Sequence, residues 1–491
     1  MYRTVAQLDS LSQLLASWFP QYFTRVQLPE ASVQGRPVYA LRLRAGVGEG
    51  RRAVLLVGGT HSRELMNPDA IIELAVDLFV SYRQGTDVVY GGRTWSARDV
   101  KVILETLDLW LVPCSNPDGR EYVMTVDNMW RKNRRTNAGT ECRGVDLNRN
   151  LDIVWGVTQG QTSCAPCSDV YCGPSVVSEP ETRNIRYLLN AHPIDCFADV
   201  HSYSELVLYP WGHAPTQTAN PAQQFTGLPT GTCTTIGQPG YQEYMPPRDL
   251  MRFQTVGQRI VDAITAVRGR VYTNEPAVTL YPVTGSHSDY AYSRHIANPR
   301  LRKTYGYTLE TGPWAGNVQD SFHPADPTLI KRDAKSGLLA LVQQCICAIE
   351  LVGSRFLGRD SEVSALRRVR DNLLATTEAG RGWIALFERV QTPLIGAVLE
   401  DERLASEAVA LVESAGLLAD NQDLMLSDED VARSVALVQA LSHRAEPHLR
   451  EDLEQVRDAV EQLRGRSMAH AVETLMHQAP RVGRRGQLNG S

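Results

Sequence analysis

The sequence predicts an α/β domain with a mixed, mostly parallel twisted sheet flanked by helices, followed by an all-α C-terminal region. Short apolar runs of strand length alternate with segments in which apolar residues recur every three or four positions, the pattern of strands alternating with helices. Each of these apolar runs is followed by a polar segment. Beyond about Gly353 the glycine and strand signals fade, and only the helical period continues.

The predicted elements of the first part follow one another in a regular order. A helix is expected over residues 3–19, because Leu8, Leu11 and Leu15 fall on one face. Two short alternating segments flank a turn at 35–37, and a helix over 71–79 follows the first buried strand. Buried strands are expected at 53–57, 107–112, 196–200 and 305–309, and a closing helix at 338–349.

These signals divide the chain into three parts. Residues 1–352 are expected to form the α/β domain, residues 353–478 a bundle of about five helices, and residues 479–491 a flexible tail. The apolar positions of the second part are not sustained as heptads, which favours a packed bundle over a coiled coil. Its residues do not distinguish a partner-docking role from an inhibitory or oligomerising one.

Composition and charge exclude several classes of protein. The 491 residues, 43% of them hydrophobic, suffice for a large core, and the net charge of −5 gives no general attraction to nucleic acid. No run approaches the roughly 20 apolar residues of a membrane helix. The N-terminus lacks a signal-peptide pattern, which by default predicts a cytoplasmic protein. A cluster of loop cysteines points instead to an oxidising compartment, so the two signals conflict.

A metal site is predicted from residues that follow two of the buried strands. His61 and Glu64 stand three residues apart just after the run 53–57, and His201 directly follows the run 196–200. Ligands in open α/β sheets bind beyond the carboxyl ends of the strands, so we expect these side chains to converge there. Two imidazoles and one carboxylate suit a catalytic zinc ion, with the fourth position left to water.

Glu310 is the candidate for proton transfer. It directly follows the run 305–309 and therefore belongs to the same edge of the predicted sheet. A zinc ion lowers the pKa of its bound water. A carboxylate beside it can take a proton from that water and give it to a leaving amine.

Five motifs in order resemble those of the zinc metallocarboxypeptidases, the family of the pancreatic A and B enzymes, over about residues 2–350. They are His61–Glu64, Trp130–Arg134, Gly144–Asn150, His201–Tyr203 with Leu208–Gly212, and Thr308–Gly312. The resemblance implies a zinc carboxypeptidase-like catalytic domain with one catalytic zinc ion. It also implies peptide or protein C-termini as the substrate.

The resemblance further implies roles for residues between the metal ligands. Arg131 is expected to stabilise the oxyanion of the reaction. Asn148 and Arg149 are expected to bind the terminal carboxylate of the substrate through paired hydrogen bonds. Asp146 is expected to accept a hydrogen bond from the far nitrogen of His61 and so fix its tautomer.

Two further residues are expected to shape the substrate pocket. Tyr281 matches the mobile tyrosine that closes over substrate, and Ser288 matches the residue that reads the last side chain. Because Ser288 is neither acidic nor bulky and apolar, we expect a neutral or broad preference. His287 stands where the family has a small residue, and we expect it to line the pocket or face solvent without binding the metal. Asn128 replaces an accessory arginine of the pancreatic enzymes.

The cysteines leave two interpretations open. Cys142 and Cys167 fall where the pancreatic enzymes have a disulfide, and Cys164 with Cys172 is expected to close a second loop. The alternative is a structural zinc ion held by these four thiols. Four other cysteines stand in apolar runs and are expected to be core thiols: Cys114, Cys196, Cys345 and Cys347.

The sequence therefore predicts a zinc-dependent metallocarboxypeptidase, made without an N-terminal zymogen segment. One alternative is a zinc amidase that shares the metal site but acts on non-standard peptides, such as γ-glutamyl links or cell-wall stem peptides. A non-catalytic peptide-binding module is another alternative. Such a module is expected to have lost Glu310 or a metal ligand, and this chain retains all of them.

Overall fold

The chain forms two compact units, Met1–Cys345 and Ile346–Ser491. The computed structural model describes residues 2–46, 51–158, 160–224, 240–346, 361–421, 423–445 and 447–480. The domain boundary predicted near residue 352 and most of the predicted tail lie outside these described residues.

The first unit contains one large sheet and two small two-stranded sheets among its described residues. Its strands are β1 (Phe23–Gln27), β2 (Tyr39–Leu43), β3 (Arg52–Gly58), β4 (Val88–Tyr90), β5 (Arg93–Trp95), β6 (Leu107–Val112), β7 (Ile194–His201), β8 (Leu206–Tyr209), β9 (Thr216–Gln217), β10 (Glu243–Tyr244), β11 (Thr273–Pro276) and β12 (Tyr305–Glu310). The large sheet has the order β1-β2-β6-β3-β7-β12-β8-β11.

The large sheet is mixed and mostly parallel, as the sequence predicts. Strands β6, β3, β7 and β12 run parallel to one another at its centre, and β8 is parallel to β11. The pairs β1–β2, β2–β6 and β8–β12 are antiparallel. Strand β7 is buried along its whole length, and β3 is buried from Ala53 to Gly58. Their continuous apolar sequences follow from this, because helices cover both faces of a central parallel strand.

Helices account for much of the remaining first unit. They are α1 (Val5–Trp18), α2 (Met66–Gln84), α3 (Ala97–Thr106), α4 (Pro117–Thr125), α5 (Pro180–Ala191), α6 (Pro247–Arg268), α7 (His287–Ala297), α8 (Val318–Phe322) and α9 (Thr328–Gln344). A capping box between Thr4 and Gln7 begins α1, and Gly85 ends α2 in the left-handed conformation that glycine adopts without strain. No helix in the described ranges is long and apolar enough to cross a membrane.

The long polar segment between α4 and α5 has little regular structure. Its described residues include a short 3-10 turn, Leu147–Arg149. Lys132 donates from Nζ to the carbonyls of Pro166 and Ser168 at 2.9 Å each, and Trp155 donates from Nε1 to the Cys172 carbonyl at 3.0 Å. These contacts satisfy backbone groups that a strand or helix would otherwise pair.

The cysteines depart from the expected pattern in two places. Cys142 and Cys167 form the predicted disulfide, with their Cα atoms 5.0 Å apart. Cys164 is disulfide-bonded, but Cys172 is a free thiol, so the predicted pairing of these two is wrong. Cys196 and Cys345, expected to be core thiols, are joined in a disulfide with a Cα separation of 6.2 Å. The two cysteines are 149 residues apart in sequence, so no local sequence pattern indicates that they pair. Cys347 lies outside the described residues.

The second unit is helical wherever it is described. Its helices are α10 (Ser361–Asn372), α11 (Glu378–Glu400), α12 (Glu402–Asp420), α13 (Asp428–Arg444), α14 (Pro447–Gln462) and α15 (Met468–His477). A core formed by α11, α12, α13 and α14 includes Ala397, Leu404, Leu441 and Leu453. A capping box between Ser427 and Asp430 begins α13.

We predict that Cys345→Ala lowers the free energy of unfolding by about 2 to 5 kcal/mol in protein folded under oxidising conditions, because a cross-link across a long loop restricts the unfolded chain. Chemical denaturation measures this change. Cys114→Ala, which removes an unpaired thiol, is the control. Alkylation of Cys196 in denatured, unreduced wild-type protein would contradict the prediction.

Candidate active site

The ends of β3, β7 and β12 bring the predicted metal ligands together at one edge of the sheet. His61 follows the end of β3, His201 ends β7, and the parallel register sets His201 beside Glu310. One ring nitrogen of each histidine and one carboxylate oxygen of Glu64 lie within 4.8 Å of one another, and all three side chains are buried. The structure thus groups His61, Glu64 and His201 as a candidate metal site.

Both histidines present Nδ1 to the centre of this group. The Nδ1 atoms of His61 and His201 lie 2.7 and 3.0 Å from the two Glu64 oxygens and 3.0 Å from each other. The opposite nitrogens face buried carboxylates: His61 Nε2 is 3.1 Å from Asp146 Oδ1, and His201 Nε2 is 2.8 Å from Asp199 Oδ2. Because an ionised carboxylate only accepts hydrogen bonds, a neutral ring here carries its proton on Nε2 and turns the Nδ1 lone pair inward.

This arrangement fits a divalent cation. Two lone pairs at 3.0 Å repel each other unless a positive charge lies between them. Glu64 Oε2 is buried and lies 3.0 Å from His201 Nδ1, so it faces the same point as the two ring nitrogens. Burial opposes a charged Glu64, but the two histidines lower its pKa to about 2. Burial also opposes a charged His201, but Asp199 and Glu64 hold its pKa well above the usual range, so without metal a proton on His201 takes the place of the cation between the two rings. The site therefore stabilises positive charge, and its nitrogen and oxygen ligands suit zinc.

Asp199 belongs to the site, although the sequence patterns do not identify it. Its Oδ1 accepts a hydrogen bond from Thr60 Oγ1 at 3.0 Å, and its Oδ2 contacts both His201 and His287. His287 is only 1% exposed and packs behind His201, so the expectation that it lines the pocket or faces solvent is wrong. The two-residue spacing of Asp199 and His201 could have indicated their contact, because residues two apart on a strand point to the same face of the sheet.

Asp146 joins the metal group to Arg131. Its Oδ1 lies 3.1 Å from His61 Nε2 and accepts from the backbone N–H of Asn148 at 2.9 Å. Its Oδ2 accepts from Arg131 Nε and Nη2 at 3.0 and 2.8 Å. Burial opposes the charge on Arg131, but Asp146 outweighs this effect and raises the pKa of the guanidinium. Arg131 is thus a fixed cation next to the metal group.

Asn148 and Arg149 lie on the 3-10 turn and line the cleft beside the metal group. Arg149 is held by hydrogen bonds from Nε to the Gln161 carbonyl at 2.6 Å and from Nη1 to the Asn148 carbonyl at 2.7 Å. Gly285 packs against this turn with φ +70°, and a Cβ there would come within 2.4 Å of the Arg149 carbonyl oxygen. Only glycine permits this close approach.

The cleft encloses about 390 Å³, including space open to solvent, and combines apolar walls with hydroxyl groups. Tyr281 and Ser288 line it, and Ser288 Oγ accepts a hydrogen bond from Thr308 Oγ1 at 3.2 Å. The apolar part of the lining is formed by Leu208, Ala277, Leu280 and Val283. The cleft therefore offers an uncharged surface beside Ser288.

Glu310 lines the same cleft as His61 and is 8% exposed. Burial raises the pKa of its carboxyl to about 8, and the negative charge of Glu64 adds to this effect, while His201 opposes it. A carboxyl whose pKa lies near neutrality suits the exchange of protons with a reacting group.

Fold and site together define an α/β protein with a candidate metal site at one edge of its sheet. The family described as zinc carboxypeptidase matches residues 8–335, and this chain belongs to that family. The match lies within the first unit.

Several known proteins resemble the chain. Human carboxypeptidase A1 is 33% identical over 315 residues, which are 63% of this chain and 64% of that protein. Mouse carboxypeptidase A4 is 30% identical over 310 residues, which are 62% of each. The chain thus spans less than two thirds of the length of these relatives.

Solved structures show the same fold. The crystal structure of carboxypeptidase A from Helicoverpa armigera is 25% identical with a TM-score of 0.52, over 70% of this chain and 74% of that one. The structure of thrombin-activatable fibrinolysis inhibitor is 20% identical with a TM-score of 0.56, over the same shares of the two chains. The latter likeness concerns the fold alone.

We predict that Glu310→Gln makes the metal-free protein more stable than wild type at pH 8.5, and that this advantage shrinks towards pH 5.5. The Glu310 pKa is raised from 4.5 in the unfolded chain to about 8 in the folded protein. The folded protein therefore pays no penalty for the buried carboxyl below pH 4.5. It loses stability progressively as pH rises to 8, and little more above that. The variant should gain about 3 kcal/mol over this interval, at roughly 1.4 kcal/mol per pH unit between 5.5 and 8.

Thermal and chemical unfolding of the apo-proteins at several pH values measure this difference. Glu141→Gln, which alters an exposed carboxylate, is the control and should follow the wild-type profile. Parallel pH profiles for Glu310→Gln and wild type would show that the Glu310 carboxyl is not destabilised by burial.

Proposed function

We propose that this chain is a zinc-dependent metallocarboxypeptidase that removes the C-terminal residue of peptides or proteins. The observation that carries the proposal is the grouping of His61, Glu64 and His201 at the edge of a cleft lined by Asn148 and Arg149. Metal ligands and a carboxylate-binding guanidinium in one cleft are what an exopeptidase specific for C-termini requires.

His61, Glu64 and His201 would hold the zinc ion, which when bound would activate a water molecule and polarise the scissile carbonyl. Glu310 would accept the proton of that water and pass it to the leaving amine. Its location supports this role, because Glu310 lines the same cleft as His61.

Arg131 would stabilise the negative charge that develops on the carbonyl oxygen of the substrate. Its two hydrogen bonds to Asp146 Oδ2 fix the guanidinium before substrate arrives. A cation fixed in advance stabilises the transition state without the cost of reorganising at that moment. Asp146 would also keep the His61 ring in the tautomer that binds metal.

Arg149 and Asn148 would bind the C-terminal carboxylate of the substrate, and Tyr281 would close over it. No hydrogen bond within the described ranges occupies Arg149 Nη2, which supports the availability of that group for a ligand. The orientation of Asn148 is supported by its Oδ1, which accepts from the His287 backbone N–H at 2.8 Å.

The substrate preference we propose is neutral or broad. The cleft wall near Ser288 consists of apolar side chains and the hydroxyls of Ser286, Ser288 and Thr308. No acid among the lining residues other than Glu310 would attract a basic side chain, and Glu310 is assigned to proton transfer. Uncharged C-terminal side chains therefore suit this surface.

Two aspects of the biology follow as further proposals. The disulfides are consistent with folding in an oxidising compartment. The helical second unit lies outside the residues that match the zinc carboxypeptidase family, and we assign it to partner docking or self-association, not to catalysis.

The decisive assay uses N-blocked dipeptides with free C-termini, incubated with the full chain and zinc. We expect release of the last amino acid, loss of activity with a chelator and recovery on adding zinc. The same dipeptides with a C-terminal amide are the matched control, and they should react at least about 100-fold more slowly because Arg149 loses its charged partner. Cleavage of cell-wall stem peptides alone would favour the amidase alternative, and no cleavage of either class would refute the proposal.

We predict that Ser288→Asp shifts the preference towards C-terminal Lys or Arg. A carboxylate at this position of the cleft would pair with a basic side chain, and kcat/KM for Lys over Leu should rise at least about tenfold. Ser288→Asn, which introduces a side chain of the same size as aspartate but without charge, is the control. It should leave the ratio within about threefold of wild type. An unchanged ratio in Ser288→Asp would remove Ser288 from the specificity pocket.

A further inference from the structure

Asp199 and His287 form a buried polar pair directly behind the candidate metal ligand His201. Asp199 is fully buried and His287 is 1% exposed. His287 Nδ1 lies 2.6 Å from Asp199 Oδ2, and the same oxygen lies 2.8 Å from His201 Nε2. The pair therefore lies on the side of the His201 ring opposite the metal group, and the roles assigned above do not explain it.

Both oxygens of Asp199 are occupied in a way that fixes its orientation. Oδ1 accepts from Thr60 Oγ1 at 3.0 Å, and Oδ2 lies between the two imidazoles. With three contacts converging on it, the carboxylate cannot rotate without breaking at least one of them. A carboxylate so fixed holds both the tautomer and the plane of the histidine that donates to it.

His287 supplies the contact that orients this carboxylate from the far side. Its Nε2 is buried and has no hydrogen-bond partner in the described part of the chain. A buried N–H without a partner costs free energy, so the neutral ring carries its proton on Nδ1 and donates it to Asp199. The backbone of His287 makes a separate hydrogen bond, from its N–H to Asn148 Oδ1 at 2.8 Å.

The position of His287 is set by the packing of α7 against β12. His287 is the first residue of α7, and Ser288 follows it on the cleft. Gly306 of β12 lies against this turn, where a Cβ would come within 2.9 Å of the Ser288 carbonyl oxygen. The absent side chain at Gly306 therefore permits the close approach that places His287 within reach of Asp199.

We propose that Asp199 and His287 are positioning residues that hold His201 in the orientation and tautomer that bind the metal. His287 orients Asp199, Asp199 orients His201, and the Nδ1 lone pair of His201 then faces Glu64 and His61. The inference rests on the zinc site of the proposed function, but it does not depend on which bond the enzyme cleaves.

The test compares zinc affinity, measured by chelator competition on the purified full chain, in four variants. His287→Ala removes the donor to Asp199, and Asp199→Asn keeps the shape of the acceptor but removes its charge. Each should weaken zinc binding by about 10- to 100-fold. His287→Asn retains a donor near the position of Nδ1 and should bind zinc within about threefold of wild type. His295→Ala, a half-buried histidine further along α7, is the matched control and should leave affinity unchanged.

The second readout is the visible absorption spectrum of the cobalt-substituted protein, which reports ligand geometry and does not respond to a loss of stability elsewhere. We expect the spectrum to change in His287→Ala and Asp199→Asn and to be retained in His287→Asn and His295→Ala. If His287→Ala does not fold, Asp199→Asn decides the matter, because it conserves the volume of the side chain.

Wild-type zinc affinity in both His287→Ala and Asp199→Asn would overturn the proposal. Equal weakening in His287→Ala and His287→Asn would overturn the role of the donor. Failure of the proposed function gives a different result, because a chain that binds zinc but cleaves no peptide would still show the predicted order of zinc affinities.

Discussion

The buried contact between two imidazole nitrogens, His61 Nδ1 and His201 Nδ1 at 3.0 Å, is the feature on which the rest of the site depends. Such a contact is unfavourable between two lone pairs, so the surrounding structure must hold the two rings in place and a cation must lie between them. Asp146 and Asp199 hold the rings, because each carboxylate contacts the Nε2 atom of one ring. The parallel register of the sheet then fixes the separation of ligands that are 140 residues apart in sequence.

The candidate site buries several charged side chains, which costs folding free energy. Glu64, Asp146, Asp199 and Glu310 are all buried within one small volume, together with Arg131. Burial of charge is costly unless each group is paired, and here most of the pairing is internal to the site. The negative charge that stays unpaired favours a cation between His61 and His201, and Glu310 beside it has a raised pKa. Groups held in this state before substrate arrives can act without rearrangement.

The irregular segment between α4 and α5 shows how a chain without regular secondary structure can still place side chains accurately. It supplies Arg131, Asp146, Asn148 and Arg149, and it is held by the Cys142–Cys167 disulfide. The side chains of Lys132 and Trp155 donate hydrogen bonds to its backbone carbonyl groups. Long ordered loops of this kind are commonly functional, because their order must be maintained by specific contacts.

The sequence alone determined the mixed parallel sheet, the helical second part and the identity of the three metal-ligand candidates. These follow from local signals: apolar runs of strand length, helical periodicity, and motifs placed after strands. The sequence did not identify Asp199 or the burial of His287, and it misassigned Cys196 and Cys345. Those features are contacts between residues far apart in the chain, which depend on strand register and on how closely α7 approaches β12. Only the tertiary structure decides such distances, because local patterns specify which face a side chain occupies but not which partner it meets there.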